Sequence, residues 1–342
     1  MPKNTYRNLY TAINVTPTAV IQPKRGIGDV IWHLPFIRAI AAVSPGGNVA
    51  FLAPPTSGAK ELLVAEPSVA ETIYFEHAGS ELRRGVNLIR LVALLRRNRF
   101  RTIWILDRTI RPAFAAMVAG IPERIGLGLG SQRLFITTPG IDHSHFHAFP
   151  IDWLIALMAA MKVPLPTTEP NLRVPGETLA AIGEKYNQCP RPWIVLGVGA
   201  SRSWKDWPEG HWAEFLVGLR RRSVGTVFLI GGVDNMARAQ NLIARTEGVP
   251  ACNACDLKLA EAAALLHHAD LFIGPDSGPM NIAAATGTEA FALFGATRVL
   301  KYSKFIHPIV PDGGPVPDGM LRILPAQVLE RIEPYLSRKK VP

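Results

Sequence analysis

The stretch Phe272-Ile-Gly-Pro-Asp-Ser-Gly-Pro-Met-Asn-Ile-Ala-Ala-Ala-Thr-Gly287 carries the pattern that decides the fold. It predicts an apolar strand, a tight turn at Asp276-Ser277-Gly278 and a helix that begins at Pro279, because proline is favoured at the first helical position. Gly287 is expected to end that helix. Such a turn directs unpaired backbone N–H groups and a positive helix end at the space above the strand, which favours anion binding. An ordinary β–α turn capped by Asp276 would have the same local sequence. The rest of the chain must therefore distinguish an anion-binding turn from an ordinary one.

Strand and helix patterns alternate through both halves of the chain. Apolar runs predict strands at 18–22, 48–53, 72–75 and 101–106, and again at 193–198, 226–230, 271–273 and 290–294. Helical patterns lie around 35–43, 60–65, 81–95, 111–118 and 208–220. The alternation predicts an α/β fold with two doubly wound parallel-sheet domains. Ligands bind beyond the carboxyl ends of such strands, so we expect the domains to face one another across a cleft.

A proline-rich stretch at 163–175 separates the two halves and has neither helical nor strand periodicity. We therefore expect a first domain over residues 1–165, a linker over 166–190 and a second domain over 191–342. A C-terminal helix that packs back on the first domain is compatible with these bounds.

The formal net charge of +10 is concentrated in the first half of the chain. Residues 1–150 hold 17 Lys and Arg against 9 Asp and Glu, whereas residues 151–342 hold 20 against 18. This asymmetry predicts an anionic partner for the first half, either a phosphorylated substrate or an anionic membrane surface. Nucleic acid is disfavoured, because no nucleic-acid-binding motif is present. We interpret the arginine cluster at 96–101 as cations that complement a helix C-terminus.

The chain carries no pattern for a membrane span, a signal peptide or a disulfide framework. No window reaches the roughly 18 apolar residues of a spanning helix, and the N-terminal residues lack an apolar core, so we expect a cytosolic protein. Three cysteines are too few for a disulfide scaffold. Cys252 and Cys255 have metal-ligand spacing but no second pair, which argues against a metal site.

Glycine-containing loops follow the first strand of each half. Gly26-Ile-Gly28 and Gly197-Val-Gly199 begin like dinucleotide-binding fingerprints, but Ile31 and Arg202 stand where the third glycine belongs. The phosphate-binding lysine motif of P-loop proteins is also missing. A nicotinamide dehydrogenase and a P-loop kinase are therefore both disfavoured.

The first loop carries a carboxylate, Asp29, beside two cations, Lys24 and Arg25. Asp29 can cap a helix, or it can act as a general base if the opposite domain presents an electrophile. Lys24 and Arg25 are positioned to hold an anionic acceptor.

The second loop offers small residues for phosphate oxygens, Gly199, Ala200 and Ser201, and then the cation Lys205. With the turn at 276–278, these residues predict a diphosphate clamp that faces a carboxylate across the cleft. Such an arrangement suits transfer of a group from a nucleotide to a hydroxyl.

Three motifs occur in the order found in one enzyme family: Gly28-Asp29-Val30 followed by His33-Leu34-Pro35, Lys205-x-Trp207-Pro208 with Trp212, and Asp276-Ser-Gly-Pro-Met-x-x-Ala-Ala-Ala-Thr-Gly287. Over nearly its whole length the chain resembles glycosyltransferase family nine, the ADP-heptose:lipopolysaccharide heptosyltransferases. The resemblance implies the GT-B fold, in which two Rossmann-like domains bind the acceptor and the nucleotide-sugar. It also implies inversion at the anomeric carbon, no cofactor and no metal.

The resemblance assigns roles to individual residues. Asp29 matches the family's general base, and Lys205 matches the lysine that contacts the donor phosphates and stabilises the leaving ADP. The other donor-binding candidates are Gly199, Ser201, Asp234 or Asn235 for the ribose, Asp276, Ser277, Gly278 and Asn281. Many members have histidine at the position of Asn281. Unlike histidine, the asparagine side chain cannot titrate near neutral pH. The acceptor-binding candidates are Lys24, Arg25, Gly28, His33 and the polar segment His143-Ser-His-Phe-His147.

The implied function is transfer of heptose from ADP-heptose to a hydroxyl of a lipopolysaccharide inner-core acceptor. The expected partners are a nucleotide-sugar donor, an anionic lipid-linked saccharide and the anionic cytosolic face of the inner membrane, with no nucleic acid. Three alternatives stay open: a transferase with another nucleotide-sugar or a protein or exopolysaccharide acceptor, a sugar-nucleotide epimerase or hydrolase, and a non-catalytic scaffold.

Overall fold

The computed structural model describes residues 17–76, 80–200, 202–222, 225–246 and 248–338. Within them the chain forms two parallel β-sheets, one of five strands and one of six, with helices on their faces. This architecture confirms the predicted α/β class with two parallel-sheet domains. The helices of the described ranges include none with the length and apolar character needed to cross a membrane.

The first sheet has the strand order β3-β2-β1-β4-β5. Its strands are β1 (Thr18–Ile21), β2 (Val49–Ala53), β3 (Val69–Tyr74), β4 (Thr102–Ile105) and β5 (Glu123–Gly126). The helices that precede the second sheet in the chain are α1 (Ile27–Val43), α2 (Ala59–Leu62), α3 (Glu81–Asn98), α4 (Ile110–Val118), α5 (Pro150–Ala160) and α6 (Gly176–Lys185). The strand order reverses between β1 and β4, so the loops after these two strands diverge and leave a crevice at the carboxyl edge.

The second sheet has the strand order β11-β10-β9-β6-β7-β8. Its strands are β6 (Trp193–Gly197), β7 (Thr226–Ile230), β8 (Ala251–Asn253), β9 (Leu271–Pro275), β10 (Ala290–Leu293) and β11 (Ile306–Ile309). Its helices are α7 (Glu209–Arg220), α8 (Met236–Ala244), α9 (Leu259–His268), α10 (Gly278–Ala285), α11 (Gly319–Arg322) and α12 (Pro325–Arg338). Here the order reverses between β6 and β9, so a second crevice lies beside these strands.

The strands are apolar runs because both faces of each sheet are covered. In β1, Ala19 and Ile21 pack toward α3 and α4, whereas Val20 faces the layer that contains α1. The cluster on the α1 side continues into the second domain, where it includes Phe272 and Met280. The two domains therefore share one apolar core at their junction.

Helix α1 begins at Ile27, well before the predicted start at residue 35. Pro35 lies inside this helix, where its ring removes one backbone hydrogen bond. Packing outweighs that loss, because Val30, Ile31 and Leu34 are fully buried. Asp29 consequently lies in the first helical turn and not in a loop.

The turn at 276–278 and the helix after it lie close to their predicted positions. Strand β9 ends at Pro275 and α10 begins at Gly278, one residue before the expected start at Pro279. Gly287 follows the helix with φ of +83°, a left-handed conformation in which glycine carries no steric cost.

The chain between and after the two sheets differs from the prediction in two places. The expected linker over 166–190 contains α6, whose Leu179 carbonyl oxygen lies 2.9 Å from His268 Nε2 on α9. Helix α12 packs on α7 of the second domain and not on the first domain, because Leu329 lies directly against Gly218.

Candidate active site

The candidate site lies where the carboxyl edges of the two sheets face one another. The loop after β1 leads to Asp29 and the loop after β4 begins with Asp107, so both residues stand at the crevice of the first sheet. Lys205 follows β6 and Asp276 follows β9, at the corresponding crevice of the second sheet. The topology thus brings together four of the chain's charged residues from distant parts of the sequence.

The first turns of α1 and α10 touch one another across the cleft. A Cβ atom on Gly28 would lie 2.6 Å from Asn281 Nδ2, and one on Gly278 would lie 3.2 Å from Ile27 Cδ1. A larger side chain at Gly28 would displace the Asn281 amide, so glycine allows this close approach of the two helices. The positive ends of both helix dipoles therefore point into the same small region.

A buried hydrogen bond fixes this contact. Trp32 Nε1 on α1 donates to Asn281 Oδ1 on α10 at 2.7 Å. Asn281 Nδ2 donates in turn to the Ser277 carbonyl oxygen at 2.7 Å, and Asn281 is only 6% exposed. The sequence assigned Asn281 to donor binding, whereas its amide here joins the two domains and keeps one N–H for any other partner.

Lys24 lies between two carboxylates of the first domain. Its Nζ is 3.9 Å from Asp29 Oδ1 and 3.8 Å from Asp107 Oδ2. Asp107 is buried, and its Oδ1 accepts a hydrogen bond from the backbone N–H of Thr109 at 2.8 Å. The Asp29 side chain is 33% exposed and can reach a substrate in the cleft. Sequence reasoning missed Asp107, although it has the same signal as Asp29, a carboxylate just beyond a buried strand.

His33 is buried, with 4% of its surface exposed. Its Nδ1 bonds to the Asp29 carbonyl oxygen, and its Nε2 is 3.4 Å from the Leu106 carbonyl oxygen. Burial lowers the pKa of His33, against the opposing pull of Asp29, so the ring is neutral near pH 7. His33 therefore supports the first turn of α1 from a buried position.

The remaining acceptor-binding candidates also separate into two kinds. Gly28 is covered by Asn281 and serves the contact between helices. Arg25 is exposed, and its Nε donates to Thr56 Oγ1 at 3.4 Å. Lys24 and Arg25 are thus the two candidates that remain accessible from the cleft.

Lys205 and the turn after β9 form one charged unit. Lys205 Nζ lies 2.7 Å from Asp276 Oδ2 and 3.3 Å from the Asp276 carbonyl oxygen. The hydroxyl of Ser277 is buried and has no hydrogen-bond partner among the described residues. A cation, a free hydroxyl and the N-terminus of α10 therefore converge, which is the chemistry that binds a phosphate group.

The other donor-binding candidates surround this unit. Asn235 lies over the loop after β6, since a Cβ on Gly199 would be 2.5 Å from Asn235 Oδ1. Asn235 Nδ2 donates to the Gly231 carbonyl oxygen at 2.6 Å, whereas Asp234 beside it is exposed. Of the two ribose candidates, Asp234 is the more exposed. Ser201 lies outside the described residues.

A cavity of about 380 Å³, which we call the interdomain cavity, adjoins the helix contact. Its walls come from both domains and are mainly apolar, with Ile27, Thr56, Gly231, Leu257 and Pro279 among them. It lies beyond the carboxyl ends of β7 and β9. A flat apolar ring system fits walls of this kind.

A larger cavity of about 730 Å³, the first-domain cavity, opens between α3 and α4. Phe75, Leu91 and Ile110 form apolar walls, and Arg108 and Arg111 add positive charge. Because Arg108 follows Asp107 directly in the chain, the cavity adjoins the group formed by Asp29, Lys24 and Asp107. The sequence analysis did not single out either arginine.

The segment 143–147 contributes an aromatic residue to this cavity. Phe146 lines the cavity, and the guanidinium of Arg108 lies 5.2 Å from its ring centre. This cation–π contact holds Arg108 along the wall. The described residues contain no group of three or more His, Cys, Asp or Glu side chains that could hold a metal ion.

Solved structures share this arrangement of two parallel-sheet domains. The structure of Escherichia coli ADP-heptose lipopolysaccharide heptosyltransferase II matches with a TM-score of 0.75 at 22% identity, covering 95% of this chain and 99% of that chain. A family 9 glycosyltransferase from Veillonella parvula matches with a TM-score of 0.77 at 19% identity, covering 94% and 97%. The fold is therefore the GT-B fold of two-domain glycosyltransferases.

The sequence narrows this class to one family. The model of glycosyltransferase family 9 (heptosyltransferase) matches residues 88–309, a range that includes Lys205 and Asp276 and begins after Asp29. Lipopolysaccharide heptosyltransferase 2 of Salmonella typhimurium is 25% identical over 343 residues, which cover 92% of this chain and 97% of that protein. This chain belongs to glycosyltransferase family 9 and is a transferase.

Proposed function

We propose that the chain transfers heptose from ADP-heptose to a hydroxyl of a lipopolysaccharide inner-core acceptor, with inversion and without a metal ion. The names of the relatives with matching length support the substrates. The observation that supports the proposed mechanism is the contact between the first turns of α1 and α10, because Asp29 lies in the first turn of α1 and the turn 276–278 directly precedes α10.

The donor is proposed to bind with its diphosphate at the N-terminus of α10. Lys205 would exchange its bond to Asp276 for a phosphate oxygen, and the Ser277 hydroxyl, which lacks a partner among the described residues, would donate to another. The adenine would occupy the interdomain cavity. Asp234 would accept from a ribose hydroxyl. Ser201 and the remaining amide hydrogen of Asn281 are further proposed donor contacts.

Asp29 is the proposed general base. Its carboxylate would take the proton of the acceptor hydroxyl while that oxygen bonds to the anomeric carbon and the bond to the ADP oxygen breaks. Lys205 and the α10 N-terminus would stabilise the negative charge that develops on the leaving ADP. The acceptor would approach from the first domain and ADP would leave on the side of the second, and such an in-line displacement inverts the anomeric centre.

The first-domain cavity is the proposed acceptor site. Arg108 and Arg111 on its walls and Lys24 beside it match the acidic sugars and phosphates of an inner-core saccharide. The net positive charge of residues 1–150 supports the same assignment. We further propose that the protein acts in the cytoplasm at the inner face of the membrane that holds such lipid-linked acceptors.

The test is a calorimetric titration with ADP-heptose, ADP, UDP-sugars and GDP-sugars in the presence of EDTA. Selective binding of the ADP compounds without metal is the expected result. Preference for a uridine or guanosine compound would contradict ADP-heptose as the donor. The second measurement is donor turnover with and without an inner-core acceptor. Rapid consumption of ADP-heptose without acceptor would instead indicate an epimerase or hydrolase.

A further inference from the structure

From residue 83 onward, helix α3 and the residues directly after it carry positive charge only. Residues 83–101 contain seven arginines and no aspartate or glutamate. Leu91 and Leu95 of this helix are buried against the first sheet. The opposite side of the helix therefore faces away from the protein core and is available to a partner.

The outward side of α3 is apolar as well as basic. Ile89 is 71% exposed and Val86 is 41% exposed. Arg90 and Arg97 are also exposed, and their spacing of four and eleven residues from Val86 puts them on its side of the helix. We call Val86, Ile89, Arg90 and Arg97 the α3 face.

Contacts within the protein account for only part of this pattern. Arg96 Nη2 donates to the Val118 carbonyl oxygen at 2.8 Å and so links α3 to α4. Arg97 lies in the last helical turn, where a cation complements the helix dipole. Arg90 lies before that turn and forms no salt bridge within the described ranges. The helix-end interpretation of the arginine cluster therefore explains neither Arg90 nor the exposure of Ile89.

We propose that the α3 face docks on an anionic lipid bilayer. The guanidinium groups of Arg90 and Arg97 would bind headgroup phosphates, while Ile89 and Val86 would enter the apolar part of the interface. The two kinds of side chain share one helix face, which matches a surface that is charged outside and apolar beneath. Nucleic acid would engage the arginines but would leave the two aliphatic side chains in water.

Helix α3 carries the proposed docking face on its outward side and contributes a wall of the first-domain cavity from its inward side. Leu91, the residue after Arg90, lines that cavity from α3, and Ile110 at its wall is itself 42% exposed. Docking through α3 would therefore bring the cavity close to the lipid surface. This consequence for the acceptor rests on the proposed function, whereas docking itself does not.

The test uses the purified full chain in flotation with vesicles of phosphatidylcholine and phosphatidylglycerol, or of phosphatidylcholine alone, without any substrate. The test variant is Arg90→Glu with Arg97→Glu. The matched control is Arg221→Glu with Arg331→Glu, which makes the same charge change at two exposed arginines of the second domain. A third variant, Ile89→Ser, removes only the apolar contact.

Removal of each arginine should weaken binding about fivefold, so the α3 pair should lose at least about 30-fold affinity for the anionic vesicles. The control pair should lose much less, and Ile89→Ser should weaken binding at unchanged net charge. Equal losses in the two pairs, equal binding to neutral vesicles, or binding to an oligonucleotide but not to vesicles would each overturn the proposal. Failure of the heptose assignment would appear separately, in the donor titration.

Discussion

Replacement of Trp32 by Phe tests whether the contact between α1 and α10 holds the two domains together. The substitution keeps an aromatic ring but removes the N–H that donates to Asn281 Oδ1 at 2.7 Å. Because Asn281 is only 6% exposed, water cannot replace the lost donor. A buried acceptor left without a partner costs about 1–3 kcal/mol. The open arrangement of the domains should therefore become about 5- to 150-fold more populated.

Hydrogen exchange measured by mass spectrometry separates this effect from general destabilisation. In Trp32→Phe we expect faster exchange at 277–285, which covers α10, with little change in β7. Trp193→Phe is the matched control, because its Nε1 donates to the Cys189 carbonyl oxygen at 3.0 Å and neither residue belongs to α1 or α10. The control should not speed exchange at α10 more than at β7.

The reasoning is refuted if Trp32→Phe leaves exchange at 277–285 unchanged, or if it speeds α10 and β7 equally. A kinetic result is also expected under the proposed function. Asp29 lies on α1 and the proposed phosphate-binding turn precedes α10, so a more open arrangement should lower kcat.

Four further predictions follow from the same geometry. Asp29→Asn should lower kcat about 10²- to 10⁴-fold, with ADP affinity unchanged in calorimetry; intact turnover would remove Asp29 as the base. Lys205→Ala should weaken ADP binding by roughly 10- to 150-fold through loss of a charge-assisted hydrogen bond, whereas Lys205→Arg should retain most of the affinity. Burial by itself raises the pKa of Glu66, but the hydrogen bond and charge of Arg38 outweigh it and hold that pKa below the usual 4.5. This carboxylate therefore stabilises the fold above about pH 4.5, and the stabilisation disappears as the pH falls through the lowered value. In urea unfolding, the free energy of unfolding should decrease less on acidification for Arg38→Gln than for the unsubstituted protein. Burial raises the pKa of the Cys255 thiol to about 11, so native protein should react with iodoacetamide at this residue far more slowly than urea-unfolded protein; equal rates would contradict the burial.

The sequence predicted the central strands and the deciding turn well, because both have strong local signals. Strands such as β6 and β9 are covered on two faces and appear as short apolar runs. Proline after the turn at 276–278 and glycine at its end marked α10. By contrast, β5, β8 and β11 stand at or near sheet edges, are short and include polar residues, so no apolar run revealed them.

The start of α1 shows a different limit. Two glycines and an internal proline make residues 26–35 look like a loop followed by a helix. The buried side chains that stabilise this segment receive their partners from the sheet and from the second domain, so no local pattern contains that information.

For the candidate site, the sequence by itself determined which chemical groups stand beyond which strands: a carboxylate after the first, a lysine after the sixth and the turn 276–278 after the ninth. Only the tertiary structure decided how these groups are used. Trp32 and Asn281 are 249 positions apart, and Lys24 meets Asp107 only because β1 and β4 are neighbours. Local sequence fixes the direction of the backbone over a few residues, whereas the pairing of distant side chains depends on sheet order and on the packing of one domain against the other.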